Sequence, residues 1–411
     1  MGIIGILVLL GGAWLLSEDR RAVAWRTVIG GLVLQALLAV LLLGFPPARR
    51  GMALANDAAD ALQRAADAGT SFVFGYLGGA PLPFAETHPG ASYILAFRAM
   101  PLVLVISALS SLLIHWGVLQ WVMRGFSALL RRSLGIGGAL SLGAAVHVFV
   151  GMIEAPLLIR PWLASMSRGE LFALMSCGMA GVAGTVMVIY GAMLSAALPD
   201  ALGHIISAAV ISTPAALAVA AVMVPAGPVR EDDSRLVLEH PPRSWVEAIT
   251  RGTMDGVGPL VGILALLVVS VALVSLVNAT LGLLPEISGA AVTLQRLASW
   301  PARPVVWLIG VPWAETGAAG ALLGTKTVLN EFVAYLDLAH LGADVLSPRS
   351  RLIMTYALCG FANLASVGIL VGGMSAMAPG RSGEIVGLGL RSLIAGTLAT
   401  CMSGAWAGLM Y

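Results

Sequence analysis

Apolar runs of membrane-spanning length alternate with short polar punctuation along almost the whole chain. Runs at 2–16 and 27–45 predict the first two helices, joined by SEDRRAVAWR. No basic stretch precedes the first run and its charges follow it, so it reads as a retained helix rather than a signal peptide. Residues 51–68, GMALANDAADALQRAADA, are polar on one side and alanine-rich on the other, a pattern that predicts a helix lying at a membrane surface. A third span is expected over 93–114, and WVMRGFSALLRRSLG, 121–135, reads as a basic interfacial segment. Further spans are predicted at 171–199, 204–225, 257–283, 351–376 and 385–410, with a polar loop at 226–245.

Two segments break this rhythm. GGALSLGAAVHVFVGMIEAPLLIRPWLASM, 137–166, is too polar and too rich in small residues for a lipid-facing helix, and Gly151, Glu154 and Pro156 interrupt it. The stretch 304–338 has a short apolar arm, Pro312 and Glu315 at a break, and a Gly/Ala-rich run ending in GTKTVLNEFVAY. Two arms around a polar break predict re-entrant hairpins, because irregular backbone survives at membrane depth only when buried in protein or lining a cavity. Each hairpin carries a glutamate, Glu154 or Glu331, and precedes a similar octapeptide, CGMAGVAG at 177–184 or CGFANLAS at 359–366. Corresponding broken segments in two halves point to a transporter whose site lies at the repeat interface near mid-membrane. The spans 171–199, 204–225 and 257–283 separate the hairpins, and this odd number of crossings makes the repeat inverted.

The expected organisation is therefore an all-α polytopic membrane protein. Residues 1–135 form an N-terminal scaffold and 136–225 a first transport repeat. A cytoplasmic loop at 226–256 and a scaffold helix at 257–283 lead to a second repeat at 304–411. Composition agrees: the chain is 58% hydrophobic and 11% charged, with a mean hydropathy of +0.92, too apolar to cover a soluble surface. A net charge of +2 gives no reason to expect a nucleic-acid partner. With both termini outside, thirteen arginines fall in inside segments (20–26, 124–132, 160–168, 230–251 and 381) against five outside (49–64 and 349–351), which favours that orientation. Cys177, Cys359 and Cys401 lie in apolar runs without metal-ligand spacing and read as buried small hydrophobes.

A carboxylate at the bilayer centre costs about 2.5–3.5 kcal/mol on insertion scales, so Glu154, Glu315 and Glu331 are functional candidates, each against the alternative of a structural partner. Lys326 is the sole lysine. It stands five residues before Glu331, off the i, i+4 spacing, and reads as structural, capping hairpin carbonyls or reaching an interface. His147 and Glu154 could share a helix face, but no HExxH and no Gly-x-Ser-x-Gly accompanies them, so neither a catalytic residue nor a metal site is expected.

GTKTVLNEFVAY resembles the signature Gly/Ala-x-Lys-x-x-x-Asn-Glu-Phe-Val-Ala of the concentrative nucleoside transporters, with every fixed position matched by residues that include Lys326, Asn330 and Glu331. CGFANLAS is similar to that family's second signature, VGMIEAP falls at its first-hairpin tip, and SEDRRAVAWRTVIGGLVLQ looks like its N-terminal region. The resemblance covers nearly the whole chain. It implies a homotrimer in the bilayer, in which an elevator-like domain carries nucleoside, coupled to sodium or protons, with no other cofactor. It implies that Glu331, Asn363 and Ser366 hold the ribose hydroxyls and that Phe361 packs against the base. An acceptor-only carboxylate suits vicinal hydroxyls.

Two departures from the family pattern change the expectation. The hairpin tip commonly reads Gly-Gln-Thr-Glu, whereas here Met152 and Ile153 replace both neutral polar partners before Glu154. A modified nucleoside or another hydroxylated solute therefore stays open as substrate. Sodium-coupled members have asparagine where His147 stands and serine where Gly181 stands. Only the carbonyls of Val150 and Val182 would remain for sodium, which favours proton coupling through Glu154 first and Glu331 second, with His147 also able to titrate. Sodium coupling, and a fold that binds its ligand without transport, are the competing readings. The arginine-, alanine- and glycine-rich composition suggests a GC-rich bacterial source and an inner-membrane location.

Overall fold

The computed structural model describes residues 1–88, 92–195, 197–227, 242–287, 289 and 291–411, apart from the side chains at 49 and 59. Most of the polar loop expected at 226–245 lies outside the described residues. Six helical segments among those described are long and apolar enough to cross a membrane: Trp25–Gly44, Leu95–His115, Arg168–Leu194, Ala201–Met223, Trp245–Leu281 and Pro379–Met410. The surface helix expected at 51–68 is longer, Pro46–Phe74. It lies beside the start of Ala201–Met223, where Asn56 donates to Asp200 at 2.9 Å.

One order of elements occurs twice. An amphipathic helix (Val118–Leu134, then Leu294–Leu308) leads into a hairpin (138–163, then 316–340). Each hairpin is followed by a helix broken in its middle (168–194, then 348–377) and a long helix (Ala201–Met223, then Ser382–Met410). The first repeat follows Leu95–His115 and the second follows Trp245–Leu281, two helices that pack on each other. Ser382–Met410 is the central post, touching both broken helices and Ala201–Met223. Small residues let backbones close on it: a Cβ at Gly396 would stand 2.8 Å from the Met179 carbonyl carbon.

The hairpins show how the sequence makes breaks. In the first, helix Gly138–His147 ends, residues 148–153 are irregular, and Glu154–Leu158 restarts the helix, as expected from Gly151 and Glu154. The second differs from its expected bounds. The apolar arm at 304–312 is the end of amphipathic Leu294–Leu308, whose interior tolerates Pro301 and Pro304. Pro312 and Glu315 form the turn that folds this helix back against Thr316–Val328. The break inside the hairpin is at Leu329 and Asn330, and Glu331–His340 follows. The spans expected at 171–199 and 351–376 are each two helices, interrupted at 181–183 and 359–363.

Helix starts within these breaks need donors satisfied without water. Asn330 Oδ1 accepts the Val333 N–H at 2.9 Å, and Asn363 Oδ1 accepts the Ser366 N–H at 2.8 Å. Ala183 has no side chain to cap Gly184–Leu194, and there the Gly184 N–H goes to the Phe149 carbonyl in the first hairpin, at 3.2 Å. At the start of Arg168–Ala180, by contrast, Ser167 and Glu170 form a reciprocal capping box. An ionic cluster ties the same end together: Glu18 binds Arg168 at 2.8 Å and Arg391 at 2.7 Å, and Arg381 reaches the Leu163 and Met166 carbonyls. The Arg168 guanidinium holds the Glu18 carboxyl below the usual carboxylate range.

Candidate functional site

The two interruptions at 181–183 and 359–363 meet inside the protein. The Phe361 N–H donates to the Gly181 carbonyl at 3.0 Å. Approach this close requires glycine next door: a Cβ at Gly360 would sit 2.8 Å from the Met179 carbonyl oxygen and 2.8 Å from the Thr400 methyl. Through Phe149 and Gly184 the first hairpin joins the same junction.

Glu331 begins the second arm of the other hairpin and is 5% exposed. Tyr190 donates its hydroxyl to Glu331 Oε1 at 2.8 Å, and Asn363 donates from Nδ2 to Oε2 at 3.0 Å. One donor thus comes from each broken helix, Tyr190 from the second half of the first and Asn363 from the residue that caps the second half of the other. Asn363 is fixed in orientation, because its oxygen already caps Ser366 and only its amide nitrogen can face the carboxylate. Ser366 is buried one turn into that helix, and Phe361 is half-buried in the break. Sequence reasoning did not find Tyr190. It sits in GTVMVIYGAML, where an aromatic residue looks like membrane filler. Its ring packs at 4.7 Å from Tyr335 and 6.0 Å from Phe332, both on Glu331's own helix.

Lys326 is fully buried in the first arm of the hairpin. Its Nζ donates to the Ala357 carbonyl at 2.8 Å and to Thr400 Oγ1 at 3.0 Å. The amine therefore donates at the carbonyl end of Pro348–Leu358, just before the break. Glu315 accepts from the Ser347 N–H at 3.2 Å and hydroxyl at 3.1 Å, bracing the loop before that helix rather than entering the junction.

At the first hairpin, His147 is 3% exposed, and its Nε2 is buried with no hydrogen-bond partner among the described residues. The ring lies beside Gly178, and the His147 carbonyl faces the bare Cα of Gly181. Val182 is buried in the break and Val150 half-buried in the hairpin loop. Met152 is buried, whereas Ile153 packs against Gly373 on the second broken helix. Glu154 stands apart from the Glu331 cluster: it is exposed, with its carboxylate folded back over Gly151. The three cysteines are buried and unpaired. Among the described residues no group of His, Cys, Asp and Glu is placed to hold a metal ion.

Three stretches match protein-family sequence profiles. Residues 4–77 match one described as the Na+ dependent nucleoside transporter N-terminus, 96–197 one described as nucleoside recognition, and 204–408 the Na+ dependent nucleoside transporter C-terminus. The chain is 32% identical over 414 residues to the nucleoside permease NupC of Helicobacter pylori, covering 99% of this chain and 96% of that protein. The structure of CNTnw in an inward-facing substrate-bound state is similar across 100% of this chain and 98% of its own, with a TM-score of 0.90 at 35% identity. A variant of CNTnw in an outward-facing state matches 100% of this chain and 97% of its own, with a TM-score of 0.88 at 35% identity.

Proposed function

The chain belongs to the concentrative nucleoside transporters, membrane carriers and not enzymes, and from that premise we propose that it imports nucleosides by proton-coupled symport. The observation that carries the substrate reading is the buried Glu331 carboxylate, held on one oxygen by Tyr190 and on the other by Asn363. Each oxygen retains a lone pair, so the group presents two fixed acceptors to adjacent sugar hydroxyls. Ser366 adds a hydroxyl one turn away, and Phe361 offers a ring for the base. The apolar pair Met152 and Ile153 makes the sugar, rather than the base, the recognised part.

Two positions support protons over the sodium for which the family profiles are named. Sodium takes oxygen ligands, yet His147 brings an imidazole and Gly181 no side chain, and the Gly181 carbonyl already accepts from Phe361. Glu154, exposed at the hairpin tip, is the first candidate to take and release the proton, and Glu331 the second. The motion proposed is an elevator: the body built around Ser382–Met410 moves against a frame centred on Leu95–His115 and Trp245–Leu281, which pack chiefly on each other. Helices Gly2–Leu15 and Trp25–Ala39, expected in the scaffold, pack on the body. A homotrimer in a bacterial inner membrane is the proposed setting.

Counterflow tests the substrate reading without assuming an ion. Sealed proteoliposomes preloaded with unlabelled uridine or adenosine are expected to accumulate the labelled nucleoside transiently. Accumulation of neither would move the assignment to a modified nucleoside or another hydroxylated solute, with Met152 and Ile153 the next residues to change.

A further inference from the structure

We propose that Tyr190 is a specificity-determining positioning residue, whose hydroxyl sets the orientation in which Glu331 meets the two sugar hydroxyls. The inference rests on the nucleoside reading of the Glu331 site and goes beyond it, because nothing in the signature motifs includes this tyrosine.

The geometry assigns Tyr190 this role in three steps. First, a carboxylate on a flexible side chain rotates unless both oxygens are tethered, and here they are tethered from opposite repeats, by Tyr190 at 2.8 Å and Asn363 at 3.0 Å. Second, the tether is itself rigid. Tyr190 is 1% exposed and its ring is wedged between Phe332 and Tyr335, so its hydroxyl has little freedom to follow a moving carboxylate. Third, Tyr190 acts on Oε1 alone. With it in place each oxygen has one acceptor direction left, which matches two neighbouring hydroxyls and leaves an acceptor unpaired when one hydroxyl is missing. Without it, Oε1 offers two directions and the carboxylate turns about its Asn363 anchor. The ordering that made the missing hydroxyl costly is then lost.

The test is Tyr190→Phe, which keeps the ring packing and deletes one oxygen. Initial uptake rates into proteoliposomes are measured for uridine, 2′-deoxyuridine and 3′-deoxyuridine. The expected result is a rise of about tenfold in the KM for uridine, as for loss of one hydrogen bond to a charged group, with Vmax changed much less. The preference for uridine over each deoxy analogue falls by a similar factor. Tyr335→Phe is the companion variant. It removes a hydroxyl from the same aromatic stack, one that donates to the Thr355 carbonyl at 2.7 Å and not to Glu331. It is expected to keep the wild-type preference among the three nucleosides. The inference is overturned if Tyr190→Phe keeps both KM and preference, or if Tyr335→Phe reproduces its profile, since the effect would then be general packing. If wild type takes up none of the three, the nucleoside reading itself has failed, and the positioning role with it.

Discussion

Glu331→Gln is expected to lower uridine uptake at least about 100-fold, the factor for roughly 3 kcal/mol, while the protein still folds. The side chain keeps its size but exchanges an acceptor for a donor. Tyr190 and Asn363 both present hydrogens to the carboxylate. A glutamine oxygen can accept from only one of them, and even where the Tyr190 hydroxyl turns to accept from the amide nitrogen, the charge that both donors faced is gone. A sugar hydroxyl loses its acceptor on the same side. Hydrogen bonds to a charged group are worth about 1.5–3 kcal/mol each, so losing two suffices for the predicted factor. The check is counterflow of labelled uridine by protein shown to be monodisperse. Residual activity above a tenth of wild type would mean that the carboxylate is not the group holding the substrate.

The second large effect is expected at Lys326. Lys326→Met keeps the length of the side chain but removes the donor to the Ala357 carbonyl and to Thr400. That carbonyl closes the last turn of Pro348–Leu358, two residues before the break that carries Phe361 and Asn363. Ala357 is fully buried, and a buried acceptor left unpaired costs about 1–3 kcal/mol. Relaxation of the helix end would displace Asn363 from Glu331, so uptake is expected to be lost and the thermal unfolding midpoint in detergent to fall. A methionine variant as stable and as active as wild type would show that the break holds its shape without the lysine.

These two residues also mark what was legible in the sequence. Glu331 and Lys326 stood out because charges are rare in an apolar chain, Asn330 because it stands beside them in the same motif, and Asn363 only through the resemblance of CGFANLAS to a family signature. The first hairpin was readable for the same reason, with Gly151, Glu154 and Pro156 together in a segment that could not be lipid-facing. The second was misplaced. Pro312, Trp313 and Glu315 looked like its tip, but they form a turn between two packed helices, and proline within Leu294–Leu308 did not stop that helix. The true break at Leu329 leaves no trace except the asparagine after it. Tyr190 was invisible because its importance comes from a partner 141 positions away. The exposed position of Glu154 at the first-hairpin tip depends on how the hairpin packs, which periodicity does not encode.

The proposed proton coupling turns on His147 and Gly181, which both lie in the stretch that matches the nucleoside-recognition profile, outside the two stretches that match the sodium-named ones. The His147 ring lies against Gly178 with its Nε2 buried, and neither His147 nor Gly181 offers a cation a side-chain oxygen. The measurement that decides the account is labelled uridine uptake into sealed proteoliposomes under an inward proton gradient, an inward sodium gradient or neither. Concentrative uptake is predicted with the proton gradient alone, unchanged by sodium and absent in Glu331→Gln. Uptake driven by sodium without a proton gradient would contradict it, and would mean that backbone carbonyls around Val150 and Val182 suffice to bind the ion.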